Sequence, residues 1–236
     1  MVTIILRNIF FIALVLFGTI QCTQSTAIPY YDNGNRFWIT DGILGREDGP
    51  AIEWSNGDKE WYKHGEKHRD NDEPAIVRTN GDKEWYKHGK KHRKNGPAII
   101  TAHRYQEWWV NGELHREDGP AIEWSNGTKE WYIHDKKHRL DGPAIVHANG
   151  NKQWWLNDKR HRENDLPAIE NVDGHKEWWV NDKLHRENDL PAIIHVNGTK
   201  EWYYYGLRHR EHGPAIEYAN GRKVWYKYGK EMKKGM

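Results

Sequence analysis

The sequence predicts an all-β fold, an elongated single-layer antiparallel array of β-hairpins with two strands in every repeat of 23 or 24 residues. Three observations lead there. A Pro-Ala-Ile triplet recurs with its proline at Pro50, Pro74, Pro97, Pro120, Pro143, Pro167, Pro191 and Pro214. An aromatic pair recurs with its first member at Trp61, Trp85, Trp108, Trp131, Trp154, Trp178, Trp202 and Trp225. Fourteen Trp and twelve Tyr stand against four Phe and three Met, and 30% of the chain is charged. Aliphatic side chains are thus too sparse for a conventional core, and aromatics must carry the packing.

Each repeat holds two turn signals, hence two strands. The first is Asn56-Gly57 and its equivalents Asn80-Gly81, Asn126-Gly127, Asn149-Gly150, Asp173-Gly174, Asn197-Gly198 and Asn220-Gly221, with His103-Arg104 as the departure. The second is His64-Gly65, His88-Gly89, Asn111-Gly112 or Tyr205-Gly206, replaced by Asn157-Asp158 and Asn181-Asp182. Asn-Gly accepts the positive φ angles of a two-residue hairpin turn. Counting outward from such turns sets Glu53 opposite Glu60, Ile52 opposite Trp61, and Trp61 opposite His68. One face is then expected to carry Ile52, Trp61 and His68, and the other Glu60, Tyr62 and Arg69. That second face would hold cross-strand ion pairs such as Glu107 with Arg116 and Glu177 with Arg186. The opposed pair Glu53 and Glu60 is an unexplained cost.

Proline to tryptophan is always eleven residues, whereas tryptophan to the next proline is twelve or thirteen. The variation falls after the His-Arg pair, as in His68-Arg69-Asp70-Asn71-Asp72-Glu73-Pro74 against His92-Arg93-Lys94-Asn95-Gly96-Pro97. This stretch must be a loop or a bulge, where an added residue leaves strand register untouched. Trp38 opens a degenerate first copy, preceded by Asn33-Gly34 and followed by Gly45-Arg46 in place of His-Arg. At ~4.8 Å per strand, each repeat advances about 10 Å.

Residues 1–27 differ in kind. They carry one charge, Arg7, an apolar run from Ile9 to Ile20, and the small-residue sequence Ser25-Thr26-Ala27. This reads as a secretory signal peptide cleaved after Ala27, leaving residues 28–236 as a single repeat domain of about eight copies plus the degenerate first. A secreted or lumenal location follows. The alternative is an uncleaved signal anchor in a membrane, although the run falls short of the ~20 residues that span a bilayer. The only cysteine, Cys22, leaves with the leader, so the mature chain forms no disulfide. Removing Arg7 leaves 35 basic against 34 acidic residues. Both signs alternate within each unit, which argues against a nucleic-acid partner.

The unit Trp109-Val110-Asn111-Gly112-Glu113-Leu114-His115-Arg116-Glu117-Asp118-Gly119 resembles the MORN repeat, an aromatic with Gly three positions on, His three further, then Gly-x-Gly. It departs where Arg116 occupies the place of a glycine and where Pro-Ala-Ile follows. The resemblance covers residues from about 33 to 231 and implies a twisted hairpin solenoid acting as a scaffold, a dimerisation surface or a docking strip. Lipid binding is not carried over, because balanced charge supplies no patch for anionic headgroups.

Candidate sites follow from the same pattern. The second members of the aromatic pairs, Tyr62, Tyr86, Trp109, Tyr132, Trp155, Trp179, Tyr203 and Tyr226, form a ladder suited to a protein partner, a second copy of the chain, or, as the alternative, a glycan. Asn126 and Asn197 head N-glycosylation sequons at hairpin tips. No metal or cofactor is expected, since histidines in equivalent positions of successive repeats, such as His115 and His138, would stand about 10 Å apart, too far to share a metal. No unique nucleophile, acid or base breaks the repeat, so the reading is non-enzymatic.

Overall fold

The computed structural model describes residues 27–232, and every regular element among them is a strand. The segment read as a leader, with Arg7 and Cys22, lies outside the described residues except for Ala27. Most strands join one 20-stranded antiparallel sheet, and seven two-stranded hairpins flank it. The chain meanders: Ile52–Glu53 pairs with Lys59–Glu60, which pairs with Ile76–Val77 of the next repeat, which pairs with Lys83–Glu84, and so on to Lys223–Lys227. All-β repetition with two hairpins per repeat is therefore the fold.

Each repeat bends at its first tryptophan. The strand Lys59–Glu60 belongs to the long sheet, while Tyr62–Lys63 folds back on Glu66–Lys67 as a separate hairpin. Between them Trp61 donates its N–H to Ala75 of the next repeat at 2.8 Å and accepts from His68 at 3.1 Å. The bend holds the core. Ala51, Ala75, Ala98, Ala121, Ala144, Ala168, Ala192 and Ala215 have no exposure at all, and seven of the eight following isoleucines are buried. Sealed on every side, each of these positions holds a side chain of a single methyl group.

The second turn is the expected two-residue kind, with His64 at φ 51° and Gly65 at φ 78°. The first is not. Trp54 accepts from Gly57 and donates to Asp58, which makes a three-residue loop with only Gly57 left-handed, at φ 90°. The cause is the Asn56 side chain, whose Oδ1 accepts the Asp58 N–H at 3.0 Å and holds Asn56 right-handed. Asn80, Asn126, Asn149, Asp173, Asn197 and Asn220 repeat the contact.

That one residue corrects the faces. Ile52 lies opposite Glu60, and Glu53 opposite Lys59. The anticipated Glu53–Glu60 clash does not exist. Ile52, Glu60 and Tyr62 share one face, and Trp61 lies on the other, away from Ile52. Glu107 and Glu177 do not pair with Arg116 and Arg186: they accept the indole N–H of Trp109 at 2.7 Å and of Trp179 at 2.6 Å.

The arginine of each His-Arg pair, and Arg46 in the first copy, instead covers its own tryptophan. In eight successive copies, from Arg46 over Trp38 to Arg210 over Trp202, the guanidinium carbon lies 3.6–4.3 Å from the ring centroid. The same group closes the loop by donating to the following proline carbonyl, as Arg116 does to Pro120 at 3.2 Å. In short loops a glycine makes room: a Cβ at Gly119 would stand 2.7 Å from the Arg116 guanidinium carbon.

The long loops do more. Their added residue puts Asn71-Asp72, Asn164-Asp165 and Asn188-Asp189 in the left-handed region and swings the aspartate onto the next repeat. Asp72 grips Arg93, Asp165 grips Arg186 and Asp189 grips Arg210, each through two carboxylate oxygens. The carbonyls of the same aspartates accept the indole N–H of Trp85, Trp178 and Trp202 at 2.8–2.9 Å. These three are the only recurring tryptophans buried to 6% exposure or less. Loop length thus decides which repeats are clamped to their predecessor.

Candidate functional site

The aromatic ladder is present and half-buried throughout, from Tyr62 to Tyr226. Its polar atoms are engaged. Tyr62, Tyr86, Tyr132 and Tyr203 donate their hydroxyls at 3.0 Å to the acid two residues before, Glu60, Glu84, Glu130 and Glu201. Trp155 donates to Gln153, and Tyr226 to Glu231. Burial, reinforced by these carboxylates, pushes the Tyr62, Tyr86, Tyr132 and Tyr203 hydroxyls above the ordinary phenol range. Burial alone would raise Glu201, but hydrogen bonds from His195, Tyr203 and Arg208 leave it below the usual carboxylate value. These acids are pinned acceptors, a poor arrangement for moving protons.

The ring faces are occupied as well. Lys67 lies between Tyr62 and Tyr86 at 6.0 and 5.4 Å, Lys137 between Tyr132 and Trp155 at 5.9 and 5.2 Å, and Arg160 between Trp155 and Trp179 at 5.7 and 3.6 Å. Arg208 bridges Tyr203 and Tyr226. Cations thus separate neighbouring rings over much of the ladder, each contact worth ~0.5–1 kcal/mol at this exposure, while Leu114 and Leu184 take the cation's place opposite Trp109 and Trp179.

A different row is open, and sequence reasoning missed it. Register aligns Lys59, Lys83, Lys129, Lys152, Lys176, Lys200 and Lys223 at one position of alternate strands, with Gln106 as the single break. All seven lysines are exposed. Between them stand half-buried Val77, Ile100, Val146 and Ile194 or glutamates already paired, Glu53 with Arg36, Glu123 with Arg116, Glu170 with Arg162 and Glu217 with Arg210. The signal was a lysine two positions before seven of the eight recurring tryptophans. It needs the true register to become a row.

Histidines join repeats. The Nδ1 atoms of His68, His92, His115 and His161 accept the backbone N–H of His88, Asn111, His134 and Asn181 in the next hairpin at 3.1–3.3 Å. The Nε2 atoms of His68, His161 and His185 face Asp70, Glu163 and Glu187 at 2.7–2.9 Å. An imidazole that accepts at Nδ1 must be neutral. No group of three or more metal-ligating side chains occurs among the described residues. Turn aspartates staple in the same way: Asp58 accepts from Thr79 at 2.8 Å and Asp82 from Ala102 at 2.9 Å.

Acid is expected to loosen these joints. The Thr79 and Ala102 N–H groups hold Asp58 and Asp82 below the usual carboxylate range, a hydrogen bond from His68 takes Asp70 down to about 2, and burial lowers His92. For groups lowered by folding, stability is present above the ordinary value and is lost as pH falls through the lowered one. Melting temperature followed by circular dichroism should therefore begin to fall as pH drops below the ordinary imidazole value of 6.5, where His92 acts, and fall most steeply from the ordinary aspartate value of 3.8 toward pH 2, where Asp58, Asp82 and Asp70 act. A flat profile would contradict the staples.

At the sequons Asn126 and Asn197 are exposed, but both threonines have structural work: Thr128 and Thr199 accept through Oγ1 from Ala148 at 3.1 Å and Ala219 at 3.3 Å. Threonine there needs no glycan to account for it.

Fold and surface together define an all-β hairpin-repeat protein with two chemically distinct faces. No protein-family model matches the chain, and no curated protein matches it.

Proposed function

We propose that the chain is a non-enzymatic repeat scaffold, exported through the secretory pathway, that binds a protein partner or a second copy of itself. Its repeats are read as divergent MORN-type units, on the aromatic, glycine and histidine spacing of residues 109–115 and the two-strand period. The observation that carries this reading is the exposed lysine row, which forms no ion pair closer than 4 Å among the described residues, while the glutamates that stand opposite it are paired with arginines. Unpaired charge beside half-buried aliphatics, presented every ~10 Å, suits an extended protein surface with acidic groups.

Lysine-reactive cross-linking of the purified chain in its native extract, followed by mass spectrometry, tests it. The expected result is a recurrent cross-linked protein through Lys59, Lys83 or Lys129, lost in the Lys59→Glu, Lys83→Glu, Lys129→Glu triple variant. Absence of any cross-linked protein or self-linked copy, together with catalytic turnover, would overturn the reading. Glycan binding by the aromatic ladder has less support, because cations already cover its rings.

A further inference from the structure

The two ends of the ladder are complementary halves of the joint that holds the repeats together, and from them we infer that copies of this chain associate head to tail. The inference rests on the self-association arm of the proposed function and names its surface. Inside the molecule every joint is built alike. A strand carrying Glu-Trp, Gln-Trp or, in the first copy, Phe37-Trp38 receives the Pro-Ala-Ile strand of the next repeat: Glu60 lies opposite Ile76, and Trp61 donates its N–H to the Ala75 carbonyl.

The first strand, Ile28–Asp32, takes the place of the Pro-Ala-Ile strand that such a joint receives. Tyr30 lies opposite Phe37, and Phe37 lies opposite Ile52 on its other side, so Phe37 holds the glutamate's place and Tyr30 the isoleucine's. Pro29 then holds the place of alanine. Proline lacks an N–H, but the joint asks only for its carbonyl. This strand is exposed along its whole length, with Ile28 at 71% and Tyr31 at 64%.

At the other end Val224 lies opposite Ile216 in the glutamate's place, and Trp225 follows it. Among the described residues no Pro-Ala-Ile strand comes next, and Trp225 is 36% exposed where its internal counterparts are buried or half-buried. Joining the two ends would set Val224 opposite Tyr30 and bring the Trp225 N–H to the Pro29 carbonyl. It would also repeat the hairpin contact in which Gly65 donates to Leu44 and Gly229 to Arg208, with Gly42 of one copy meeting the Glu231 carbonyl of another.

Two features oppose a solitary monomer. Repeat arrays are normally closed by polar terminal repeats. Among the described residues the glutamate position is apolar only at the first and last such strands, Phe37 and Val224, and Ile28, Tyr30, Tyr31, Trp225 and Met232 are exposed. An open edge of this kind adds strands. Because the surfaces differ, the contact is heterologous and grows into an open series instead of closing as a dimer.

Sedimentation velocity on the chain purified from secretory expression tests this with two end-blocked variants, Ile28→Lys with Tyr30→Lys, and Trp225→Lys with Met232→Lys, both at exposed positions. Circular dichroism confirms that each keeps the native strand signal. Unmodified protein is expected to show weight-average mass rising over about a hundredfold concentration range. Each variant alone should sediment as a monomer, and their equimolar mixture as a one-to-one dimer and nothing larger. Dimers of either variant alone would mean that like ends meet and would overturn the inference. So would a monomer at every concentration; if that monomer still cross-links a partner through the lysine row, the scaffold reading survives, and if it does not, both fall.

Discussion

Trp178→Ala is expected to lower unfolding stability by about 3–5 kcal/mol, the range for a buried aromatic removed from a core that cannot collapse around the gap. The ring is 6% exposed, lies 3.8 Å from the Arg186 guanidinium carbon, and donates at 2.9 Å to the Asp165 carbonyl. Its loss strands a carbonyl and leaves the Asp165–Arg186 clamp lying over a void. Trp131, half-buried and following a short loop, is expected to lose distinctly less on the same change. Urea midpoints followed by circular dichroism compare the two. Equal shifts would show that the long loops do not clamp.

Ile76→Ala should cost about 2–5 kcal/mol. Ile76 is the one large side chain in the described residues that is essentially sealed, at 1% exposure, with Glu60 and Glu84 as its cross-strand neighbours. A single-layer sheet has no second layer to move into the vacancy, which favours the upper half of the range. Lys83→Ala, one strand away in the exposed row, should shift stability by no more than about 0.5 kcal/mol. A urea midpoint for Ile76→Ala within that smaller margin would mean that the alanine and isoleucine row is not the core.

Period, strand content, both turn positions and the loop that absorbs length changes were legible in the sequence, because each depends on residues a few positions apart. The face assignment was not. Asn56-Gly57 serves a two-residue turn or a three-residue loop equally well, and the choice depends on whether the Asn56 side chain reaches the Asp58 N–H. One residue of slip moved Trp61 to the face opposite Ile52 and dissolved the apparent Glu53–Glu60 repulsion. The roles of Arg69 and its equivalents were hidden for another reason. Nothing in a His-Arg dipeptide announces that the guanidinium will cover a tryptophan eight residues earlier. Likewise the position of the added residue in long loops was plain, but its grip on the following repeat requires knowing where that repeat lies.

All functional readings depend on successive repeats forming one ladder in this register. Paired cysteines test that most directly, in a chain carrying Cys22→Ser. Lys59→Cys with Val77→Cys joins residues directly opposite one another in adjacent repeats, within the Cα separation a disulfide accepts, whereas Glu53→Cys with Glu60→Cys places the thiols on opposite faces. Mild oxidation should link the first pair within a monomer and leave the second as free thiols. Linkage of the second pair and not the first would contradict the ladder.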